Sequence, residues 1–228
     1  MSLTPSVIRN LNPKEFSCLK VLDSGGESGD LEVLKEWSKY CKVYNIYGPT
    51  ELTVNSTAKE ITKKTKHLTI GKPICNTQAY VINNDELCGQ NVIGELCLSG
   101  DSMSKGYLNR DNLNKDVFVD CPYNNNKMYK TGDLVKIDNN YDIVYIGRKD
   151  NQIKLHGYRI ELNEIETAIK EIDFVQDAIA IVDSDDIGNK FICAYIVSSE
   201  NIDVNSIKSI LKKSLALYMI PSYIIQID

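Results

Sequence analysis

The chain has 228 residues, 43% of them apolar and 25% charged, and it carries a net charge of −5. This apolar content is enough for a packed core in one large or two small domains. Acidic and basic residues are interspersed, which argues against a nucleic-acid partner or an acidic membrane surface. Since no apolar run approaches the roughly 20 residues of a spanning helix, the sequence predicts no membrane segment.

Seven cysteines are scattered along the chain, and none of them forms a Cys-x-x-Cys pair. Most lie among apolar residues, where cysteine behaves as a small buried side chain. This usage is typical of a reducing compartment. We therefore expect a cytoplasmic protein without a cysteine-based metal site.

The first segment, residues 1–56, has the order strand, helix, strand. Strands are predicted over 18–22 and 42–46, and the helix between them begins after Asp30, a predicted cap. This order favours an α/β unit with parallel strands, in which ligands bind beyond the carboxyl ends of the strands. Two conspicuous turns fall there, Gly25-Gly26-Glu27 and Tyr47-Gly48-Pro49-Thr50-Glu51.

The second segment, residues 57–149, changes to short strands separated by turn residues. Strands are predicted over 78–82, 94–98, 133–137 and 142–146. Because long helical patterns are absent, this segment is predicted to form a small twisted β-barrel or sandwich.

The third segment, residues 150–228, reads as a compact α+β domain. A strand over 152–155 precedes a helix from Asn163, where Glu166 has capping-box spacing. Strands over 178–182 and 191–197, a helix capped by Asp203 and a final strand from Tyr223 complete it. The boundary with the second segment is predicted at Lys149 and Asp150.

Two charged residues in the second segment indicate a binding site. Asp133 follows Gly132 at a predicted strand end, where a fixed carboxylate suits a ligand with paired hydroxyls, such as a ribose. Arg148 adds a planar donor fork suited to phosphate. Together they indicate a nucleotide. The alternative is a surface salt bridge between the two, contributing under about 1 kcal/mol. On either interpretation, Asp133→Ala is expected to change stability by less than about 1 kcal/mol.

The turn at Tyr47 places a hydroxyl, Thr50, beside a carboxylate, Glu51. This pair could bind a phosphate oxygen and a Mg²⁺ ion that bridges to it. The alternative is an ordinary β-turn with Pro49 at its second position.

Two segments carry a specific family resemblance: Tyr-Lys-Thr-Gly-Asp-Leu at 129–134, and the stretch that begins Gly-Arg-Lys-Asp-Asn-Gln at 147–152 and runs to Glu166. They resemble the adenylate-forming superfamily, in particular the amino-acid-activating adenylation domains of nonribosomal peptide synthetases. The resemblance implies an α/β remnant (1–56), a distorted β-barrel-like subdomain (57–149) and a mobile, truncated α+β C-terminal domain (150–228).

The same resemblance implies a role for each matching residue. At the adenine, Gly25, Gly26 and Glu27 would lie along the base, Asn45 would face it and Tyr47 would stack on it. At the phosphates, Thr50 would contact an oxygen and Glu51 would bind Mg²⁺. Asp133 would bind the ribose hydroxyls, Tyr145 would lie beside the nucleotide, and Arg148 would contact ribose or phosphate.

Further positions match the amino-acid pocket and the moving parts of the family. The pocket would be mostly apolar, and its matching residues are Leu22, Ser24, Ile46, Val54 and Asn55. Asp150 matches a hinge, and Gly157 a residue that approaches the pantetheine thiol. The segments 94–100 and 105–108 match a structural motif, and a barrel corner explains their glycines without a ligand.

The implied reaction joins an amino acid to ATP, releases pyrophosphate, and passes the aminoacyl group to the phosphopantetheine thiol of a carrier protein. The family's phosphate loop does not occur upstream of Glu27, and the chain stops before the segment with the catalytic lysine, which stabilises charge on the α-phosphate. We therefore expect an inactive fragment of an antibiotic-producing enzyme.

Three alternatives remain open. A D-alanine:carrier-protein ligase is the nearest, because residues 152–159 also resemble that branch. An acyl-CoA synthetase is disfavoured by Pro49, which is typical of amino-acid activators. A non-catalytic docking module for a carrier protein would retain the fold without the nucleotide site.

Overall fold

The computed structural model describes residues 1–150, 152–185 and 189–227. The chain forms two compact units, Met1–Asp150 and Asn151–Asp228. The first unit contains, in chain order, β1 (Ser2–Leu3), α1 (Pro5–Ile8), β2 (Val21–Ser24), α2 (Leu31–Trp37), β3 (Lys42–Tyr47), β4 (Thr57–Ile61), β5 (Lys72–Pro73), β6 (Thr77–Asn83), β7 (Glu86–Leu87), β8 (Gly94–Gly100), α3 (Asp111–Val117), β9 (Phe118–Asp120), β10 (Lys127–Ile137) and β11 (Ile143–Arg148).

The first sheet of this unit has the order β1-β2-β3-β4-β5. β2 and β3 are parallel and are joined through α2, as the strand, helix, strand pattern predicted. The cap at Asp30 is confirmed, because its carboxylate accepts hydrogen bonds from the amides of Glu32 (3.0 Å) and Val33 (3.3 Å). Leu34 and Trp37 of α2 are fully buried in one core cluster, which contains Ile8, Leu22, Leu34, Trp37, Val43 and Ile61.

β4 and β5 belong to the first sheet, although the predicted second segment began at residue 57. β4 pairs antiparallel with β3, and β5 pairs antiparallel with β4. The strands therefore change sheets after Pro73, and the predicted boundary at 56 and 57 does not coincide with a boundary between sheets.

The second sheet has the order β11-β10-β8-β6-β7, with β9 also paired to β10. β11 and β7 lie at opposite ends of this order, so the predicted barrel is an open half-barrel. Its core contains Val81, Leu96, Leu98, Tyr129 and Val135. The helix α3 was not predicted, since the apolar periodicity of Asp111–Val117 is weak.

The two sheets of the first unit are joined where Gly71 crosses Ile143. The amide of Ile143 donates to the carbonyl of Gly71 (2.7 Å), and the amide of Ile70 donates to the carbonyl of Ile143 (2.9 Å). A partly buried ion pair between Lys59 of β4 and Asp142 adds a second link. Gly71 has φ +76°, and a Cβ there would overlap the carbonyl of Ala58. Only glycine fits this crossing without strain.

The second unit contains β12 (Gln152–Leu155), β13 (Tyr158–Glu161), α4 (Leu162–Lys170), β14 (Val175–Ser184), β15 (Lys190–Ser198), α5 (Val204–Leu211) and β16 (Tyr223–Ile227). The strands β14, β15 and β16 form one sheet in that order, and β12 and β13 form a hairpin. Its core lies between α4, α5 and the sheet, and includes Ile165, Ile169, Ala194, Ile207 and Leu211.

Two helix starts in this unit were predicted, with different outcomes. The cap at Asp203 is confirmed, because its carboxylate accepts from the amide of Asn205 at 3.1 Å. The prediction of a capping box at Asn163 and Glu166 is wrong. The helix begins one residue earlier, at Leu162, and the Glu166 carboxylate accepts from the amide of Ala180 in β14 (3.0 Å). Among the residues that the structure describes, no helix has the length and apolar character needed to cross a membrane.

Candidate active site

Asp133 lies in the middle of β10. The prediction that it lies at one end of a strand is therefore wrong. Gly132, which reads as a turn in the sequence, instead forms a bulge with φ +74°. Against β8, three residues of β10 (131–133) lie opposite the single residue Leu96. A Cβ on Gly132 would lie 2.7 Å from Nη2 of Arg148. A bulge re-aims side chains within a continuous strand, and here it aims the carboxylate of Asp133.

The carboxylate of Asp133 is buried and holds two side-chain donors. Nη1 of Arg148 donates to Oδ1 at 2.8 Å, and the hydroxyl of Tyr47 donates to Oδ2. The amide of Asp133 donates to Oγ1 of Thr131 at 3.0 Å, which fixes the backbone below the carboxylate. The structure thus brings together three residues that the sequence assigned to ribose, phosphate and adenine.

Arg148 lies between two carboxylates. Its Nε and Nη2 donate to Oδ1 and Oδ2 of Asp150, at 2.6 and 2.7 Å, and its Nη1 also donates to the carbonyl of Thr131 at 3.0 Å. Burial opposes the positive charge, but the hydrogen bonds to Asp150 and the charge of Asp133 raise the pKa of Arg148 overall. The Arg148 and Asp133 side chains are only 11% and 5% exposed. The ion pair of the alternative interpretation therefore exists, but it is buried.

Two tyrosines complete the surroundings of this carboxylate. Burial, and then the charge of Asp133, raises the pKa of the Tyr47 hydroxyl well above its ordinary value. Burial and the same charge raise the pKa of Tyr145 to about 12. Both phenols therefore stay protonated at neutral pH and can act as hydrogen-bond donors. Tyr145 is 39% exposed, whereas Tyr47 is only 6% exposed.

Thr131 and Glu95 support this cluster, and neither was predicted as a site residue, although Glu95 lies in the segment 94–100 that was matched to a structural motif. Oγ1 of Thr131 donates to the carbonyl of Leu96 (2.8 Å). The carboxylate of Glu95 accepts from the amide of Gly132 and from Nζ of Lys149, both at 2.9 Å. Thr131 lies in the Tyr-Lys-Thr-Gly-Asp-Leu motif at 129–134, so its place in this motif could have indicated a role in the site. Glu95 is distant in sequence, and only the pairing of β8 with β10 reveals its contact.

Glu51 lies in a short 3₁₀ helix, Thr50–Leu52, that follows β3. Its side chain is buried and accepts a hydrogen bond from the hydroxyl of Tyr107. Burial, and then this hydrogen bond, raises the pKa of Tyr107. The Tyr107 and Tyr129 hydroxyl oxygens are 3.3 Å apart. Thr50, the other predicted catalytic residue, is exposed beside Glu51.

A Mg²⁺ ion at Glu51 would need ligands from elsewhere. In the described part of the chain, no three or more His, Cys, Asp and Glu residues are grouped in a way that could hold a metal. Mg²⁺ is commonly held by one or two carboxylates together with phosphate oxygens and water. The single carboxylate of Glu51 fits that mode, so the role of Glu51 as a Mg²⁺ ligand stays a prediction that depends on a bound nucleotide.

The Gly25-Gly26-Glu27 turn lies against the end of β3. A Cβ on Gly25 would overlap the carbonyl of Ile46, and Gly26 has φ +85°. The carboxylate of Glu27 accepts from the amide (3.1 Å) and the hydroxyl (3.2 Å) of Ser6 at the start of α1. The glycines therefore allow a close approach of two backbones, and the Glu27 side chain anchors α1.

Asn45 is buried on β3, and its Nδ2 donates to the carbonyl of Thr69 at 2.7 Å. This hydrogen bond ties β3 to the segment that leads to Gly71. One hydrogen of the amide is thereby used, and an approach of Asn45 to adenine stays a prediction.

The five predicted pocket residues lie on β2, on β3 and in the loop after β3, and their role in an amino-acid pocket stays a prediction. Leu22 and Ser24 alternate with Asp23 on β2 and are buried on one face; Leu22 belongs to the core beneath α2. The Ser24 hydroxyl has no hydrogen-bond partner among the described residues. Asn45 of β3 pairs with Ser24 of β2. Because successive side chains of a strand point to opposite faces, Ile46 lies on the other face of the sheet from Asn45. Val54 and Asn55 lie beyond Gly48, where a Cβ would overlap Val54.

Gly157 belongs to the second unit, in the two-residue turn between β12 and β13. His156 and Gly157 have φ +51° and +80°, and Leu155 pairs with Tyr158 across the turn. Positive φ at both positions is typical of a type I′ hairpin turn. The thiol-channel role of Gly157 and the hinge role of Asp150 stay predictions.

Comparisons with known proteins show which chains this one is similar to. The AMP-binding enzyme family matches residues 1–108. Gramicidin S synthase 2 of Aneurinibacillus migulanus is 39% identical over 232 residues, covering 100% of this chain. The structure of holo-PA1221, a nonribosomal peptide synthetase protein with adenylation and PCP domains, covers 100% of this chain with a TM-score of 0.89 at 24% identity. That of holo-AB3403, a four-domain nonribosomal peptide synthetase bound to AMP and glycine, covers 100% with a TM-score of 0.59 at 33% identity.

The adenylate-forming enzyme fold predicted from the sequence is thus confirmed. Over its whole length the chain is similar to segments of peptide antibiotic synthases, and its residues 1–108 match the AMP-binding enzyme family. It spans 5% of gramicidin S synthase 2, 41% of the PA1221 chain and 18% of the AB3403 chain.

Proposed function

We propose that this chain forms the AMP-binding part of a cytoplasmic enzyme that activates an amino acid and transfers it to a carrier protein. The observation that carries the proposal is the buried carboxylate of Asp133, held between the guanidinium of Arg148 and the hydroxyl of Tyr47. A carboxylate fixed in this way presents oxygens in one orientation to a ligand that carries neighbouring hydroxyls.

The hydrogen-bonding capacity of this carboxylate supports a ribose. An ionised carboxylate has about four acceptor positions, and Arg148, Tyr47 and Tyr145 approach it as donors. A ribose hydroxyl would donate to the remaining position, and a second hydroxyl would replace the partly exposed Tyr145. Arg148 supplies a cation within reach of the same ligand.

In the proposed reaction, a carboxylate oxygen of the amino acid attacks the α-phosphorus of ATP, and pyrophosphate leaves. The sulfur of a phosphopantetheine thiol then attacks the acyl carbon of the aminoacyl-AMP, loses its proton, and AMP leaves. Mg²⁺, when bound, would offset charge on the phosphates. Glu51 would hold that ion, Thr50 would contact a phosphate oxygen, and Asp133 would orient the nucleotide.

The comparisons support the same class of reaction. AB3403 is a nonribosomal peptide synthetase bound to AMP and glycine, and PA1221 combines adenylation and PCP domains. Because the chain spans a small part of its relatives, the activity, the amino acid and the carrier protein are proposals for this chain.

The first test is titration of AMP and of Mg²⁺-ATP into the chain by calorimetry. We expect the wild type to bind AMP and Asp133→Asn to bind at least about tenfold more weakly, because the charged acceptor is lost. Asp120→Asn is the matched control, since that carboxylate is 94% exposed. Wild-type chain that binds neither ligand would favour the non-catalytic docking module.

The second test uses a synthetase that contains this segment. Amino-acid-dependent pyrophosphate exchange is measured over a panel that includes D-alanine. Exchange with one or more other amino acids supports a peptide synthetase, whereas exchange with D-alanine alone would establish the D-alanine:carrier-protein ligase.

A further inference from the structure

Glu95 of β8 contacts Gly132 of β10 and Lys149, the residue that follows β11. Its Oε1 accepts from the amide of Gly132, the residue directly before Asp133. Its Oε2 accepts from Nζ of Lys149, the residue directly after Arg148. The Glu95 side chain is only 14% exposed, whereas that of Lys149 is 55% exposed, so the contact with the Gly132 amide is the better shielded of the two.

The bulge explains why the amide of Gly132 needs this side chain. In a regular ladder, strand β8 would supply a backbone carbonyl to each inward-facing amide of β10. Here residues 131–133 face only Leu96, and the Leu96 carbonyl accepts from the Thr131 hydroxyl. A buried amide without an acceptor is unfavourable, and the Glu95 carboxylate supplies that acceptor as a charge-assisted hydrogen bond.

The second contact acts on the other member of the pair. The amide of Lys149 donates to the carbonyl of Gly132 at 2.9 Å, so these two residues already adjoin. Glu95 contacts both of them from the neighbouring strand. Gly132 and Lys149 are the chain neighbours of Asp133 and Arg148, whose side chains meet at 2.8 Å.

We propose that Glu95 is a positioning residue for nucleotide binding: it holds the Gly132 bulge and Lys149 so that Asp133 and Arg148 face the ribose and phosphate together. This inference rests on the proposed function. Glu95 does not itself contact the nucleotide, and it acts through the backbone on either side of the charged pair.

The test compares AMP affinity with thermal stability for Glu95→Ala, Glu95→Gln and Lys149→Met. Glu95→Ala should bind AMP about tenfold more weakly, since small displacements of binding groups are costly. Glu95→Gln retains an oxygen that can accept from Gly132 but loses the charge that pairs with Lys149, so its affinity should lie between those of wild type and Glu95→Ala. Lys149→Met should have an intermediate effect. Glu86→Ala, an exposed change on β7 of the same sheet, is the matched control.

Hydrogen exchange of the Gly132 amide, followed by NMR, provides a readout that does not need a ligand. We expect this amide to lose protection in Glu95→Ala and to keep it in Glu95→Gln. Glu95→Ala that melts earlier but binds AMP as tightly as wild type would show a purely structural role and overturn the inference. If the wild type itself binds no AMP, the proposed function fails. Unchanged exchange of the Gly132 amide in Glu95→Ala would show separately that Glu95 does not hold the bulge.

Discussion

The hydroxyl of Tyr47 donates a hydrogen bond to the carboxylate of Asp133, 86 residues further along the chain. This contact joins β3 of the first sheet to β10 of the second. The residue predicted to stack on adenine and the residue predicted to bind ribose therefore constrain each other directly. A change at either one is expected to affect both the stability of the first unit and its affinity for a nucleotide.

Removing only the Tyr47 hydroxyl tests this contact. Tyr47→Phe keeps the ring but takes one donor from the buried carboxylate of Asp133, so the free energy of unfolding should fall by about 1 to 2 kcal/mol. Urea denaturation measures the change. Tyr141→Phe, at a tyrosine that is 68% exposed, is the control and should change stability by less than about 0.5 kcal/mol. Equal effects of the two substitutions would contradict a role for the hydroxyl.

The structure changes the expected outcome for Asp133→Ala. The sequence placed this carboxylate at an exposed strand end, where a loss under about 1 kcal/mol is usual. Because Asp133 is buried and paired with Arg148, we now expect a loss of about 3 kcal/mol. Urea denaturation of Asp133→Ala beside Asp120→Ala, an exposed carboxylate, measures it. A loss below about 1 kcal/mol would restore the surface-pair interpretation.

Tyr145 should make the stability depend on alkaline pH. Burial and the charge of Asp133 raise its pKa from an ordinary 10 to about 12. The folded state therefore holds this proton more tightly than the unfolded state. The resulting stability is complete below pH 10 and is lost as the pH rises towards 12.

Tyr145→Phe removes this titration, so its free energy of unfolding should fall less steeply than that of wild type between pH 10 and pH 12. Urea denaturation at a series of pH values measures both curves. Parallel curves for the two proteins would show that Tyr145 does not titrate differently in the folded state.

Gly71→Ala tests the junction of the two sheets. The new Cβ would overlap the Ala58 carbonyl at a residue with φ +76°. Strain and displaced backbone should cost about 3 kcal/mol or more. Gly89→Ala is the matched control, because a Cβ there meets nothing within 4 Å, and it should stay within about 0.5 kcal/mol of wild type. Equal unfolding midpoints of the two variants in urea would contradict the proposed crowding.

Local patterns predicted some elements well. The apolar spacing of Leu31, Leu34 and Trp37 after Asp30 indicated α2 and its cap, because both depend on residues within one or two turns of helix. The start of β16 at Tyr223 was predicted for a similar reason. Such signals need no knowledge of what packs against the element.

Elements that depend on partners distant in sequence were missed. Gly132 reads as a turn locally, and only the register of β8 and β10 makes it a bulge. β13 was not predicted, because its hairpin turn places His156 at positive φ, where Asn, Asp or Gly is the usual signal. Nothing in the spacing of Tyr47, Asp133 and Arg148 places them together, so their expected convergence came from the family resemblance.

The core of the second unit is built from its own residues, from Leu155 to Ile224, and the only tryptophan of the chain, Trp37, is buried in the first unit. Units with separate cores can melt in separate transitions, in which case no single midpoint describes the whole chain. Intrinsic tryptophan emission would then follow the first unit alone, and a circular dichroism signal would combine both. The difference between the two curves would report the second unit without any added label.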